Sequence, residues 1–143
     1  MKLLIQRVNR ASVTIDGSIV GQIGKGLLVF IGIKQGDMHS DCDYLINKLL
    51  NLRIFPGGIR SMERNVVDCE YEILVVSQFT LYADCKKGNR PSFIKAMPPS
   101  EAETVYDEFV DRLKSRYGAV QTGRFGGDMQ VELINDGPIT IEL

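Results

Sequence analysis

Ile73-Leu-Val-Val-Ser-Gln-Phe-Thr-Leu-Tyr-Ala83 is the stretch that decides how the rest of the chain is arranged. Its first four residues, Ile73 to Val76, are an unbroken branched apolar run, which reads as a buried strand. The residues that follow break the run where more core is expected. Ser77, Gln78 and Thr80 are neutral and polar, and Phe79, Leu81 and Tyr82 are interleaved with them. An unpaired buried polar group costs about 1–3 kcal/mol, so each of the three requires a partner. Two arrangements satisfy that requirement: a strand end capped by its own hydroxyls, or a pocket wall whose bonding a ligand completes.

Outward from this strand the periodicity changes. Residues 37–52 place Cys42, Leu45, Ile46, Leu49 and Leu52 on one helical face, with Asp37 or Ser40 to cap the start. A second helix follows Pro98-Pro99 and stops at Gly118. Ser100 and Glu103 form a capping box, and Ala102, Val105, Tyr106, Phe109 and Leu113 make its apolar stripe. Arg112, Lys114 and Arg116 suit the C-terminal end of its dipole. Short β-type runs occupy residues 2–8, 11–15 and 18–23, with Asp16-Gly17 as a hairpin turn. Further strands are expected at 27–33, 53–55, 119–122, 128–133 and 139–143. Residues 56–70 read as an irregular loop, 84–91 as a basic loop, and 123–127 as a glycine-rich turn. The order is two strands, two strand–helix units, then more strand. It predicts an α/β single compact domain of mixed β-sheet layers, barrel-like, with two main helices packed on one side.

At 143 residues the chain is one domain, long enough to bury ~68–70% of its unfolded surface. A net charge of −1 and a pI near 5.8 oppose bulk electrostatic binding to nucleic acid, so any RNA contact must be local. Cys42, Cys69 and Cys85 have no metal-ligand spacing, and no metal or organic cofactor is expected. No leader or membrane span is legible, and free thiols suit a reducing, cytoplasmic setting. Gly21, Gly24 and Gly26 lack the helix a phosphate loop requires. His39, the single histidine, reads as an exposed residue at a helix start.

The chain closes on Asn135-Asp-Gly-Pro-Ile-Thr-Ile-Glu-Leu143. Together with Ser77-Gln-Phe-Thr-Leu-Tyr82, this resembles the D-aminoacyl-tRNA deacylases. That family carries the same serine-to-tyrosine motif and a Gly-Pro motif near its C-terminus, where Ile139 replaces a valine. The resemblance extends to Gln6-Arg-Val8, Asn51-Leu-Arg-Ile-Phe55, Lys87-Gly-Asn-Arg-Pro-Ser-Phe93 and Thr122-Gly-Arg-Phe-Gly126, nearly end to end. It implies a homodimer that hydrolyses the ester of a D-amino acid carried on the acceptor end of tRNA.

The residues bear on that chemistry in their own right. No base lies near Thr80 in sequence, one histidine makes a nucleophilic triad improbable, and neither motif holds a carboxylate pair. Cys85 beside Lys86 and Lys87 is a candidate thiolate, ranked below a passive surface cysteine. What remains is positioning, with the substrate ribose 2′-hydroxyl supplying the chemistry. The resemblance then implies that Ser77, Gln78, Phe79 and Thr80 contact substrate, with the backbone amides of Phe79 and Thr80 facing the scissile carbonyl. It implies that Gly137-Pro138 is cis and enters the other subunit's site, rejecting L substrates and admitting D-aminoacyl and glycyl ones. By residue chemistry alone Gly137-Pro138 is also ordinary turn material. Arg7 is placed to brace that loop through its carbonyls. Lys86, Lys87 and Arg90 are either a solvated loop or contacts to acceptor-end phosphates.

Overall fold

The run Ile73–Val76 lies inside a strand, and its neighbours on both sides explain its composition. In the computed structural model, which describes residues 1–59 and 62–143, the elements are β1 (Lys2–Ile15), β2 (Ser18–Ile23), β3 (Gly26–Gly32), α1 (His39–Asn51), β4 (Glu72–Ser77), a 3-10 turn (Phe79–Tyr82), α2 (Pro99–Arg116), β5 (Val120–Thr122) and β6 (Gln130–Glu142). β3 pairs with β4 and β4 with β5, both parallel, and α1 and α2 supply the two crossovers. β1 is antiparallel to β2, β3 and β6.

Side chains alternate across a strand. Ile73 and Val75 therefore face the helices, with Leu3, Ile5, Leu27, Val29 and Ile31. The helices meet them with Cys42, Ile46 and Leu49 of α1 and Val105, Phe109 and Leu113 of α2. Leu74 and Val76 face the other way, onto Val8, Val13, Ile23 and Leu28, and β6 adds Met129 below its start, Val131 and Leu133. A parallel strand covered on both faces needs a continuous apolar run, and this one has it. Truncating fully buried Leu74 to alanine is expected to cost about 2–5 kcal/mol.

The mixed sheet is nearly closed. β2 and β5 are its two ends, and they meet at Gly21. A Cβ there would lie 2.4 Å from the Thr122 carbonyl oxygen and 3.1 Å from Leu74 Cδ1. Only glycine allows that approach. The α/β barrel-like domain with both helices on one side is the architecture expected from the sequence.

Several local expectations are corrected. The runs at 2–8 and 11–15 are one strand, which pairs with β3 along the first run, with β2 along the second and with β6 along both, the β6 register shifting around Val8. Residues 128–133 and 139–143 likewise belong largely to one strand, β6. Residues 53–55 form no strand. Phe55 makes an isolated bridge to Arg64, and the Ile54 carbonyl is taken by the Arg7 guanidinium at 2.6 Å. Neither expected helix cap is used. α2 begins at Pro99, one residue before Ser100, with no side-chain capping bond. Proline suits a first helical position because its missing N–H would be unpaired there. At α1, the Asp41 carboxylate accepts the Met38 N–H at 2.8 Å. Asp37 instead accepts the Lys34 N–H and pairs with the N-terminal ammonium, each at 2.6 Å.

Candidate active site

Where β4 ends, the backbone changes state within two residues. Gln78 still donates its N–H to the Ile31 carbonyl of β3 at 2.7 Å. From Phe79 the chain coils into the 3-10 turn, closed by Leu81 N–H to the Gln78 carbonyl and Ala83 N–H to the Thr80 carbonyl. The first donors of a helical turn have no partner inside it. The N–H groups of Phe79 and Thr80 are those donors, and neither bonds another described residue. The Ser77 hydroxyl also bonds no described protein group, and it is not sealed from solvent.

Beside this turn lies a cleft of about 650 Å3. Ser77, Gln78 and Phe79 form one wall, and the start of α2 with Met97 to Pro99 forms another. Phe93 and the turn from Phe125 to Met129 complete it. The Phe79 ring is exposed and meets Phe93 edge-on, with centroids 4.9 Å apart. Phe125 is held by the Tyr106 ring at 5.5 Å. The Tyr106 hydroxyl donates to the Val75 carbonyl at 3.3 Å, and burial keeps its phenol above its usual pKa. The cleft is thus mostly apolar, with a few polar groups along one edge, the usual make-up of a small-ligand site.

Thr80 does not line this cleft. It is exposed, and its hydroxyl accepts from the Gln78 side-chain amide at 2.5 Å. No histidine, lysine or carboxylate bonds that hydroxyl among the described residues. His39 is engaged by Glu108, and Glu108 by Arg112, in an ion-pair network joining α1 and α2. Buried Cys42 is no nucleophile either. Burial, reinforced by Glu108, raises its thiol to about 11. Asp128 is the carboxylate on the cleft wall, and the sequence reading did not single it out. Phe93, Phe125 and Met129 were also missed as site residues. Phe93 and Phe125 stand in stretches quoted for the resemblance and Met129 in an expected strand, but nothing in those stretches says which cleft they face.

Gly137-Pro138 is a cis peptide, as expected. It is not a turn between two strands. It protrudes from within β6, in the interval where β1 passes from Gln6, opposite Thr140, to Val8, opposite Asn135. Gly137 has φ +136°, a region that favours glycine, and a Cβ there would lie 2.8 Å from Ile139 Cγ1. Arg7 braces the protrusion. Its Nε donates to the Asp136 carbonyl at 3.0 Å and pairs with the Asp136 carboxylate at 3.1 Å. Asn135, whose role was not anticipated, spans the protrusion with its side chain. Oδ1 accepts the Ile139 N–H at 2.7 Å, and Nδ2 donates to the Ile139 carbonyl at 3.0 Å. Gly137 and Pro138 are exposed and do not line the cleft of their own chain.

The basic loop is pinched at its base by the Asp84–Ser92 bridge. The Lys86 N–H and the Lys95 ammonium hold the Asp84 carboxyl below the usual carboxylate range. Lys86, Lys87 and Arg90 are all exposed.

The family model described as D-Tyr-tRNA(Tyr) deacylase matches residues 4–143. The chain belongs to the D-Tyr-tRNA(Tyr) deacylase family. It is 52% identical over 143 residues to a D-aminoacyl-tRNA deacylase of Halothermothrix orenii, covering 100% of this chain and 96% of the relative. It is 50% identical over 141 residues to one of Clostridium kluyveri, covering 99% and 95%. A solved structure named c-Myc DNA Unwinding Element Binding Protein superposes on this chain with a TM-score of 0.95 at 44% identity, covering 100% of this chain and 97% of that one. A solved structure described as a probable eukaryotic D-amino acid tRNA deacylase shares the fold, with a TM-score of 0.88 at 17% identity, covering 99% and 97%. No helix among the described residues is long and apolar enough to cross a membrane.

Proposed function

We propose that this chain hydrolyses the ester of D-aminoacyl-tRNA, releasing the D-amino acid and intact tRNA. The observation that carries the reading is the edge of the cleft at the end of β4. It offers the Ser77 hydroxyl and the unpaired Phe79 N–H, with the unpaired Thr80 N–H next along the turn, and among the described residues no side-chain base bonds any of them. Such an edge holds a carbonyl and its developing oxyanion. Proton transfer then falls to the substrate, whose terminal ribose 2′-hydroxyl lies beside the ester and polarises it or orients water.

Handedness is read by Gly137-Pro138. The pair does not line the cleft of its own chain, and in this reading it acts in trans, on the cleft of a second copy in a homodimer. Rigid carbonyls of the pair take the substrate amino group and fill the space an L side chain would occupy. Asn135 and Arg7 keep the protrusion fixed. Exclusion of this kind admits glycine, which has no side chain to reject. Lys86, Lys87 and Arg90, all exposed, are the groups this reading assigns to acceptor-end phosphates, a local contact compatible with a net charge of −1.

Deacylation of D-Ala-, Gly- and L-Ala-tRNA at substoichiometric enzyme tests the proposal. Multiple turnovers on D-Ala and Gly with survival of L-Ala are expected. One-to-one protection without turnover would identify an acceptor-end-binding module instead. Gly-tRNA as resistant as L-Ala-tRNA would reject steric exclusion and leave Gly137-Pro138 a structural element.

A further inference from the structure

A second cavity, of about 560 Å3, lies beyond the far end of the 3-10 turn. Ser77, Gln78 and Phe79 line the cleft, whereas Leu81, Tyr82 and Ala83 line this cavity, so one turn of backbone separates the two. Four ammonium groups border it, Lys2, Lys34, Lys86 and Lys95, and they come from four separate parts of the chain. Among the described residues, Asp84 is the single carboxylate of the lining. Lys95 pairs with Asp84 at 3.3 Å, and Lys2 pairs with Glu142 at 3.0 Å. Lys34 and Lys86 pair with no carboxylate among the described residues. The nearby Asp37 is already engaged by the N-terminal ammonium and by the Lys34 N–H. The Tyr82 ring adds a flat wall, with the Lys2 Nζ 5.7 Å from its centroid. Burial, then Asp37 and Glu142, raise its phenol to about 12, so the hydroxyl stays neutral and able to donate.

Resting on the tRNA reading above, we infer that this lysine cavity binds the sugar–phosphate backbone of the acceptor strand just upstream of the esterified nucleotide. Three features converge on that occupant. The lining carries a surplus of positive charge in a chain whose net charge is −1, so charge is concentrated here against the average. The cationic groups are all ammoniums, compact point charges suited to phosphate oxygens and not tied to the planar fork geometry of arginine. The spacing also fits. A four-residue 3-10 turn advances about 6–8 Å, a reach comparable to the step from one backbone phosphate of a nucleic-acid strand to the next. An ester held at Phe79 and Thr80 thus sends its strand along the turn into the lysines. Lys2, Lys34 and Lys95 thereby join Lys86 as tRNA contacts, and they act on binding and not on the ester.

The test compares wild type with Lys34→Ala/Lys95→Ala on D-aminoacyl-tRNA and on D-aminoacyl-adenosine, which lacks upstream phosphates. Both side chains are exposed, and unchanged thermal unfolding checks the fold. On tRNA the variant's KM is expected to rise about tenfold, two exposed ion pairs together being worth roughly one decade. The salt dependence of binding should flatten by about 0.7 for each phosphate that is no longer neutralised. kcat, and the rate on D-aminoacyl-adenosine, should stay at the wild-type level. A parallel readout needs no variant. Cys85 lines the cavity and is exposed, so uncharged tRNA should slow its alkylation by iodoacetamide, followed by peptide mass spectrometry. An unchanged KM and salt slope, an equal loss on both substrates, or undiminished Cys85 alkylation would each overturn the inference. Failure of wild type to turn over D-aminoacyl-tRNA at all would overturn the functional reading itself, a result the variant comparison cannot produce.

Discussion

Replacing Asn135 by alanine should loosen the Gly137-Pro138 protrusion without touching either residue. The side chain closes two bonds across it, Ile139 N–H to Oδ1 at 2.7 Å and Nδ2 to the Ile139 carbonyl at 3.0 Å. A third, to Thr140 Oγ1 at 3.2 Å, is longer and more exposed. Each of the first two is worth about 1 kcal/mol net, so the loss should be roughly 2 kcal/mol. With an unfolding entropy of about 2.1 cal/mol/K per residue over 143 residues, Tm should fall by about 7 °C. Asn135→Asp keeps the acceptor for the Ile139 N–H and loses the donor, so it should fall between alanine and wild type. Urea unfolding at fixed protein concentration gives the stability, fixed because association would shift it. Hydrolysis of D-Ala- and L-Ala-tRNA by the same variants gives the handedness. The D-to-L rate ratio should narrow in the same order as the stability. If Asn135→Ala lies within about 0.5 kcal/mol of wild type and keeps the full D-to-L ratio, the side-chain clasp is not what fixes the protrusion.

Thr80→Ala should retain deacylation within about a hundredfold of wild type, far short of the ~10^6-fold loss on removing a nucleophile; a covalent acyl-enzyme trapped in wild type would contradict this. A tRNA ending in 2′-deoxyadenosine should bind but resist hydrolysis, as measured by filter binding and release of the amino acid, and undiminished turnover would refute substrate-assisted chemistry. Tyr82 has a folded-state pKa raised above its usual 10 to about 12, so its neutral form is favoured by folding. The stability it confers is complete below pH 10 and lost as pH rises through about 12. Tyr82→Phe should flatten the fall in stability across that window in a series of urea titrations, and an unaltered slope would place the titrating group elsewhere.

The sequence by itself determined the layers. An apolar run as continuous as Ile73 to Val76 has no solvent face, so a β-sheet covered on both sides was legible from composition alone. The stripes of α1 and α2 named their buried faces, because apolar side chains repeating every three to four residues have one place to go. The first motif also named Ser77, Gln78 and Phe79, which line the candidate cleft, and the missing base argued for a positioning role before any geometry was known.

Tertiary structure decided what sits opposite what. Local propensity cannot say that Gly21 lies against Thr122, which is what nearly closes the barrel. It cannot say that the Ile54 carbonyl is satisfied by Arg7 and not by a neighbouring strand. The helix starts were misread for a related reason. Ser100 and Asp37 are good caps in isolation, but Pro99 had already begun α2 and Asp37 was drawn to Lys34 and the N-terminal ammonium. Asn135 looked like turn chemistry because its partner, Ile139, is defined only once the backbone between them bulges from β6. The lysine cavity is the strongest case. Lys2, Lys34, Lys86 and Lys95 are spread over most of the first hundred residues, and no window along the chain contains them together. They become one surface because β1 pairs with β3, β3 pairs with β4, and the turn after β4 leads into the basic loop.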